Sequence, residues 1–276
     1  MKLSVGNQMI DGKLGLDERL QALAEAGFQG VEMWLGTPDL MPEHSDDDVR
    51  RLGETIRRHG LVCSSVASTL GWKYLITDPD DVPFQRSLAI ARRQIETAVL
   101  LGCDAVLVVT GQVLPKVAFR KAWDRLVSGF RELGEYATMR GVKVGAETCP
   151  KLSKNLMTPG ECLSFVNAVG SPAVGIYLDT ANVIYSGYPH DFVRELGPHL
   201  VRIHGKDLLP PDAQGRQVST WPGNGTLDWR ELTAACAEVG YDGWFVLEFA
   251  PPAGQSYSPA LCQAAVRAAR AVGITG

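Results

Sequence analysis

Two hundred and seventy-six residues carrying 27 basic and 31 acidic side chains, for a net charge of −4, leave no basic field for a nucleic-acid backbone, and no apolar run approaches membrane-spanning length. That length suits one α/β barrel as readily as two smaller domains. Six scattered cysteines without a Cys-x-x-Cys pair, and an amino terminus without a signal-peptide apolar region, lead us to expect buried thiols in a cytoplasmic protein.

Taken in order, short apolar runs alternate with helical patterns. The runs are Leu3–Gly6, Gly30–Trp34, Leu61–Ala67, Ala105–Thr110, Val142–Glu147, Val174–Asp179, Leu200–His204 and Phe245–Phe249. Most are continuously apolar, as parallel strands must be when helices cover one face and a packed interior the other. Between them, Phe84, Leu88, Ala91, Ile95 and Ala98 keep a helical spacing, as do Phe119, Trp123, Leu126, Phe130, Leu133 and Ala137. Thr158-Pro159-Gly160-Glu161 and Asp228-Trp229-Arg230-Glu231 carry helix-start signals. Gly27, Gly60, Gly102, Gly141, Gly170, Gly197 and Gly240 each follow a helix-like segment, and Gly273 closes the last one. The residue past a helix end commonly needs positive φ, which glycine adopts without strain. Eight strands alternating with eight helices, with no linker between them, predict a single-domain (β/α)8 barrel over residues 1–276, with a doubly wound open sheet as second choice.

Two loops after strand ends are long: Ser68 to Asp81, containing Trp72, and Leu208 to Leu227, containing Arg216 and Trp221. They are the expected walls of a pocket.

Four runs deliver a polar side chain at the C-terminal end, where a barrel places its chemistry: Glu147, Asp179, His204 and Glu248. Desolvating an isolated carboxylate is costly, and a shared divalent cation removes that cost. One nitrogen and three oxygen ligands favour Mn²⁺ or Mg²⁺, with Co²⁺ and Zn²⁺ as alternatives. Taken singly, each acid reads equally well as a partner of Arg202 or Lys206, and the histidine as a satisfied core group. Four equivalent positions make the metal the better account.

Several segments together carry a family resemblance. They are Gly30-Val31-Glu32-Met33-Trp34, Glu147, Leu178-Asp179-Thr180-Ala181-Asn182, His204-Gly205-Lys206-Asp207, Gly223-Asn224-Gly225-Thr226-Leu227-Asp228-Trp229 and Glu248. In order and spacing the chain resembles the xylose-isomerase-like TIM barrel superfamily of sugar isomerases, epimerases and related lyases. The resemblance implies that Glu147, Asp179, His204 and Glu248 bind the metal, and that the two glutamates act as acid and base. The expected activity is isomerisation or epimerisation of a small ketose or related polyol, moving a proton next to a carbonyl through an enediolate. The alternative is dehydration of a keto-inositol or keto-acid, toward which the His-x-Lys-Asp pattern leans.

Asn182 stands where many relatives have a histidine; it can hydrogen-bond a hydroxyl but does not titrate near neutral pH. Lys206 reads either as a partner for a keto oxygen or leaving hydroxide, or as an ion-pair partner of Asp207. Glu32 is expected to bind a substrate hydroxyl, with a satisfied core carboxylate as the other reading. Trp72, Trp34 and Trp221 are candidates to stack on a sugar, although packing is the commoner use of tryptophan. Lys151, Lys154 and Arg216 are candidates for an anionic substrate group, with solvated surface charge as the plainer reading. A multinuclear nuclease site is disfavoured, because His44, His59, His190 and His199 fall on helices or helix-side loops. A sugar-binding barrel with a structural metal is disfavoured by the accessible loops. The expected partner is a small sugar or polyol rather than nucleic acid or membrane, and a homo-oligomer is compatible with the sequence.

Overall fold

The computed structural model describes all residues except 11, 250, 252–255 and 275–276. Its barrel strands are β1 (Lys2–Gly6), β2 (Gly30–Leu35), β3 (Val62–Ser68), β4 (Ala105–Val109), β5 (Lys143–Glu147), β6 (Val174–Asp179), β7 (Leu200–Gly205) and β10 (Trp244–Leu247). They close in the order β1-β10-β7-β6-β5-β4-β3-β2. Each expected run is a strand, with ends displaced by at most two residues, and the open-sheet alternative falls away. A short antiparallel pair, β8 (Asp207–Leu208) and β9 (Ser219–Thr220), folds the long loop after β7 into a hairpin.

The surrounding helices are α1 (Leu16–Ala26), α2 (Asp46–Arg58), α3 (Asp81–Leu101), α4 (Phe119–Thr138), α6 (Pro159–Val169), α7 (Pro189–Leu196), α8 (Trp229–Glu238) and α9 (Pro259–Ala271), with a single turn, α5 (Pro150–Ser153), added after β5. The start signals operate as expected. Thr158 Oγ1 accepts from Glu161 N at 3.2 Å while Glu161 Oε2 accepts from Met157 N at 2.9 Å, and Asp228 Oδ1 accepts from Glu231 N at 3.0 Å. All eight glycines expected to close helices have positive φ, from 44° to 97°. In α4 the apolar stripe is buried from Leu126 through Phe130 and Leu133 to Ala137, but Phe119, at the helix start, is half exposed. No helix among the described residues is long and apolar enough to cross a membrane.

The main apolar core lies between helices and strands. Inside the barrel a small separate cluster of Ala67, Leu107, Val109, Tyr177 and Val246 fills the space. The interior is therefore less apolar than the runs suggest. Because strand side chains alternate in direction, residues two apart share a face, and the inward positions form layers. Glu32, Ser65 and Tyr177 meet inside the barrel, and Glu147, Asp179, His204 and Glu248 stand at the C-terminal strand ends. Gly145 leaves room for the tyrosine: a Cβ there would lie 2.9 Å from Tyr177 Cβ.

Candidate metal centre and active site

Glu147 and Asp179 end β5 and β6, His204 is the penultimate residue of β7, and Glu248 follows β10 directly. Strand register places Asp179 and Val246 on either side of His204. One ligand atom from each of Glu147, Asp179 and His204 lies within 4.8 Å of the other two. Glu248, the fourth expected ligand, falls outside that three-residue group; its Oε2 lies 3.0 Å from His204 Nδ1.

Two backbone amides fix the aspartate: Asp179 Oδ1 accepts from Ala181 N and Asn182 N, both at 2.9 Å. Its second oxygen, Oδ2, faces the centre, 3.9 Å from His204 Nδ1. Both atoms are buried, and neither has a directed hydrogen-bond partner among the described residues. His204 Nδ1 lies 3.0 Å from Glu248 Oε2 and Asp179 Oδ2 lies 3.0 Å from Lys206 Nζ, both as charge contacts. A buried carboxylate oxygen and imidazole nitrogen left in this state, with a third carboxylate in reach, form a donor set for a divalent cation.

The opposite face of the imidazole is tightly held. His204 Nε2 lies 3.0 Å from Glu32 Oε1. Glu32 Oε2 accepts from Tyr177 OH at 2.6 Å and from Ser65 Oγ. A carboxylate already receiving two hydroxyl protons is an acceptor at its remaining oxygen, so Nε2 carries the hydrogen and Nδ1 faces the centre. The Tyr177 ring packs against the imidazole edge at 4.6 Å between centroids, and Trp34 stacks on it at 6.4 Å and 17°. Glu32, expected to meet a substrate hydroxyl, is fully buried beneath the histidine and orients it instead.

Lys206 also departs from its simplest expectation. Its Nζ lies 3.0 Å from Asp179 Oδ2 and 3.1 Å from Glu248 Oε2. Asp207 is no partner for it: that carboxylate is fully buried and accepts from Gly223 N, Gly225 N, Leu227 N and the Trp229 indole. Arg202, a sequence-level partner for the acids, pairs with Asp104 and reaches Ser64 O at 3.1 Å, away from the ligands.

The electrostatics separate the two glutamates. Burial pushes the Glu147 carboxyl from 4.5 up to about 8, with Glu248 and Asp179 adding to the rise against the pull of His204. Burial acts on Glu248 in the same direction, but Lys206 and His204 overcome it and hold that carboxyl well below its usual range. His204 is raised, since Glu32 and Glu248 outweigh its desolvation, and Lys206 is raised by Asp179 and Glu248 in the same way.

The remaining candidates lie further out. The Asn182 side-chain amide donates to Thr148 O at 3.2 Å. Trp72 sits on the 3-10 turn after β3, 37% exposed. Arg216 binds Asp212 across the hairpin tip, and its side chain is 76% exposed; among the described residues no contact links it to the expected ligands. Lys151 lies over the Tyr185 ring, Lys154 donates to Lys151 O, and Trp221 packs edge-on against Phe249. Sequence reasoning missed Tyr177 and Ser65; the signal available was the two-residue spacing that puts Tyr177 on the inward face with Asp179.

A family model described as xylose isomerase-like TIM barrel matches residues 20–269. An inosose dehydratase from Geobacillus thermodenitrificans is 23% identical over 267 residues, covering 87% of this chain and 83% of that protein. Among solved structures, an L-ribulose 3-epimerase superposes with a TM-score of 0.83 at 20% identity, over 99% of this chain and 95% of its own. A D-psicose 3-epimerase determined in the presence of D-fructose gives 0.82 at 19% identity, over 100% of both chains.

Proposed function

The chain belongs to the xylose isomerase-like TIM barrel family, and from that premise we propose that it is a divalent-metal-dependent isomerase or epimerase of a small ketose or related polyol. The observation that carries this reading is the convergence of one buried ligand atom each from Glu147, Asp179 and His204 within 4.8 Å of one another, with Glu248 against the imidazole. Glu147, Asp179, His204 and Glu248 would hold the cation, and Mn²⁺ or Mg²⁺ suits one imidazole among carboxylates. A bound divalent cation supplies Lewis-acid polarisation of a carbonyl and its neighbouring hydroxyl, which acidifies the adjacent carbon-bound proton.

The protein groups do the rest. Glu248, held ionised, is the base that takes the carbon-bound proton. Glu147, across the site, is the second carboxyl of the pair and returns a proton to the opposite face or to the neighbouring carbon. Glu32 keeps the imidazole proton on Nε2 throughout, and Asn182 would hydrogen-bond a substrate hydroxyl. The six free thiols, all buried, suit a reducing compartment, and we infer a cytoplasmic enzyme.

The test is deuterium uptake from D₂O into a panel of ketoses with Mn²⁺ supplied. Uptake is expected at the carbon next to the carbonyl, and Glu147→Gln and Glu248→Gln should each lower it about 100- to 10,000-fold. No uptake across the panel overturns the reading. A second reading, dehydration of a keto-inositol or keto-acid, is favoured by Lys206, whose ammonium at the ligands is placed to assist a departing hydroxide. The likeness to an inosose dehydratase supports it too. Enone absorbance appearing with an inosose, in place of deuterium uptake into ketoses, assigns this activity.

A further inference from the structure

Lys206 contacts two carboxylate oxygens beside His204, and one of them is the Asp179 oxygen turned to the centre. Asp179 turns Oδ1 to backbone amides and Oδ2 to the centre, and it is Oδ2 that lies 3.0 Å from Nζ. Glu248 Oε2 is 3.1 Å from the ammonium and 3.0 Å from His204 Nδ1. The lysine side chain is 13% exposed and Asp179 is fully buried, so the contact is not a solvated surface pair. Its backbone is pinned as well: Lys206 N donates to Thr180 Oγ1 at 3.0 Å, and Thr180 Oγ1 donates to Lys206 O at 2.6 Å. The stem is therefore fixed at its base.

We propose that Lys206 is an internal cation that occupies the Asp179–Glu248 position in the metal-free chain and is displaced from it when a divalent ion binds. This rests on the metal reading above and adds a competitor to it. An ammonium and a divalent ion cannot share two carboxylate oxygens a few ångströms apart without strong repulsion in a buried setting. Whichever cation is absent, the other compensates Asp179 and Glu248. Apparent metal affinity is then lowered by the work of moving the lysine out, as for any site whose competent state must be populated first. Displacement also turns the ammonium from an intramolecular ion pair into a free donor beside the ligands.

The test is Mn²⁺ binding by calorimetry to the parent, Lys206→Met and Asp179→Asn proteins, with circular dichroism to confirm folding. Methionine keeps the length and apolar stem and removes the charge. Lys206→Met should bind Mn²⁺ at least about tenfold more tightly than the parent, and its metal-free form should melt lower. Equal or weaker binding by a folded Lys206→Met, while the parent binds and Asp179→Asn does not, overturns the displacement and leaves the metal site standing. Absence of Mn²⁺ binding in both parent and Lys206→Met overturns the metal reading and the displacement together. A second measurement uses the parent alone and covers a variant that fails to fold. Acetylation by an amine-reactive ester, read at residue 206 by mass spectrometry, should be faster with Mn²⁺ present. Unchanged or slower labelling overturns the proposal.

Discussion

Burial sets the protonation of Glu147 before any ligand does. Its carboxyl rises from 4.5 to about 8, so between those values the folded chain keeps a proton that the unfolded chain has released. Stability from this group is full below pH 4.5 and falls as pH rises to about 8, by up to about 1.4 kcal/mol per unit. His204, also raised, adds a loss of the same sign above its ordinary value. In the metal-free protein, Glu147→Gln should flatten the lower part of this dependence and leave the variant roughly 2–4 kcal/mol more stable than the parent at pH 8. Urea unfolding between pH 5 and 8.5 checks it, and parallel slopes for parent and variant would sink the assignment. Glu32 makes a different prediction. Glu32→Gln presents an amide where Ser65, Tyr177 and His204 all need acceptors, so the imidazole loses its fixed orientation. Mn²⁺ affinity should fall about 10- to 100-fold, read by calorimetry, with the fold retained. The proposed ligands were legible because each ends an apolar run, where a charge is conspicuous. The part played by Glu32 was not, because it depends on which hydroxyls the barrel closure brings over it, and those come from β3 and β6.

At the scale of the element, the loop after β7 is held by one side chain. Asp207 accepts from three loop amides, Gly223, Gly225 and Leu227, and from the Trp229 indole at the start of α8. The approach is so close that a Cβ on Gly225 would lie 2.3 Å from Asp207 Oδ1. Leaving those buried donors unmet costs about 1–3 kcal/mol each where water cannot replace the acceptor. Asp207→Ala should therefore cost roughly 3–5 kcal/mol and open the 208–227 segment to proteolysis. A variant with parental melting temperature and parental cleavage would refute this anchor role. The sequence marks this loop as long and Gly-rich. Its hairpin and anchor stayed hidden because they rest on a carboxylate reaching residues 16 to 22 positions away. The strands were easier to read, since their continuous apolar character follows directly from burial on both faces.

For the molecule as a whole, the barrel concentrates charge in a place that cannot hydrate it. Glu32, Glu147, Asp179 and Glu248 converge on His204 and Lys206, so acids outnumber the cations available to them. The layering of a closed parallel sheet makes this arrangement unavoidable once the strand ends carry acids. Neighbouring staves deliver their last inward residues to the same level, and helices close off the outside. On the proposed metal reading the metal-free state is the strained one, and a divalent ion that binds the native state alone stabilises the fold. At 100 times its dissociation constant the ion contributes about 2.7 kcal/mol. For a domain of this size each kcal/mol moves the midpoint by about 2–4 °C. Saturating Mn²⁺ should thus raise the melting temperature by roughly 5–10 °C; EDTA should reverse the rise, and Asp179→Asn should abolish most of it. Mg²⁺ at equal saturation should act in the same direction, since the stabilisation follows from occupancy of the site rather than from redox character. Scanning calorimetry reads all three. A midpoint indifferent to both ions, in a protein whose Asp179→Asn variant melts at the same temperature, would mean that Lys206 and His204 already neutralise the cluster and that the barrel mouth is a closed ion-pair network.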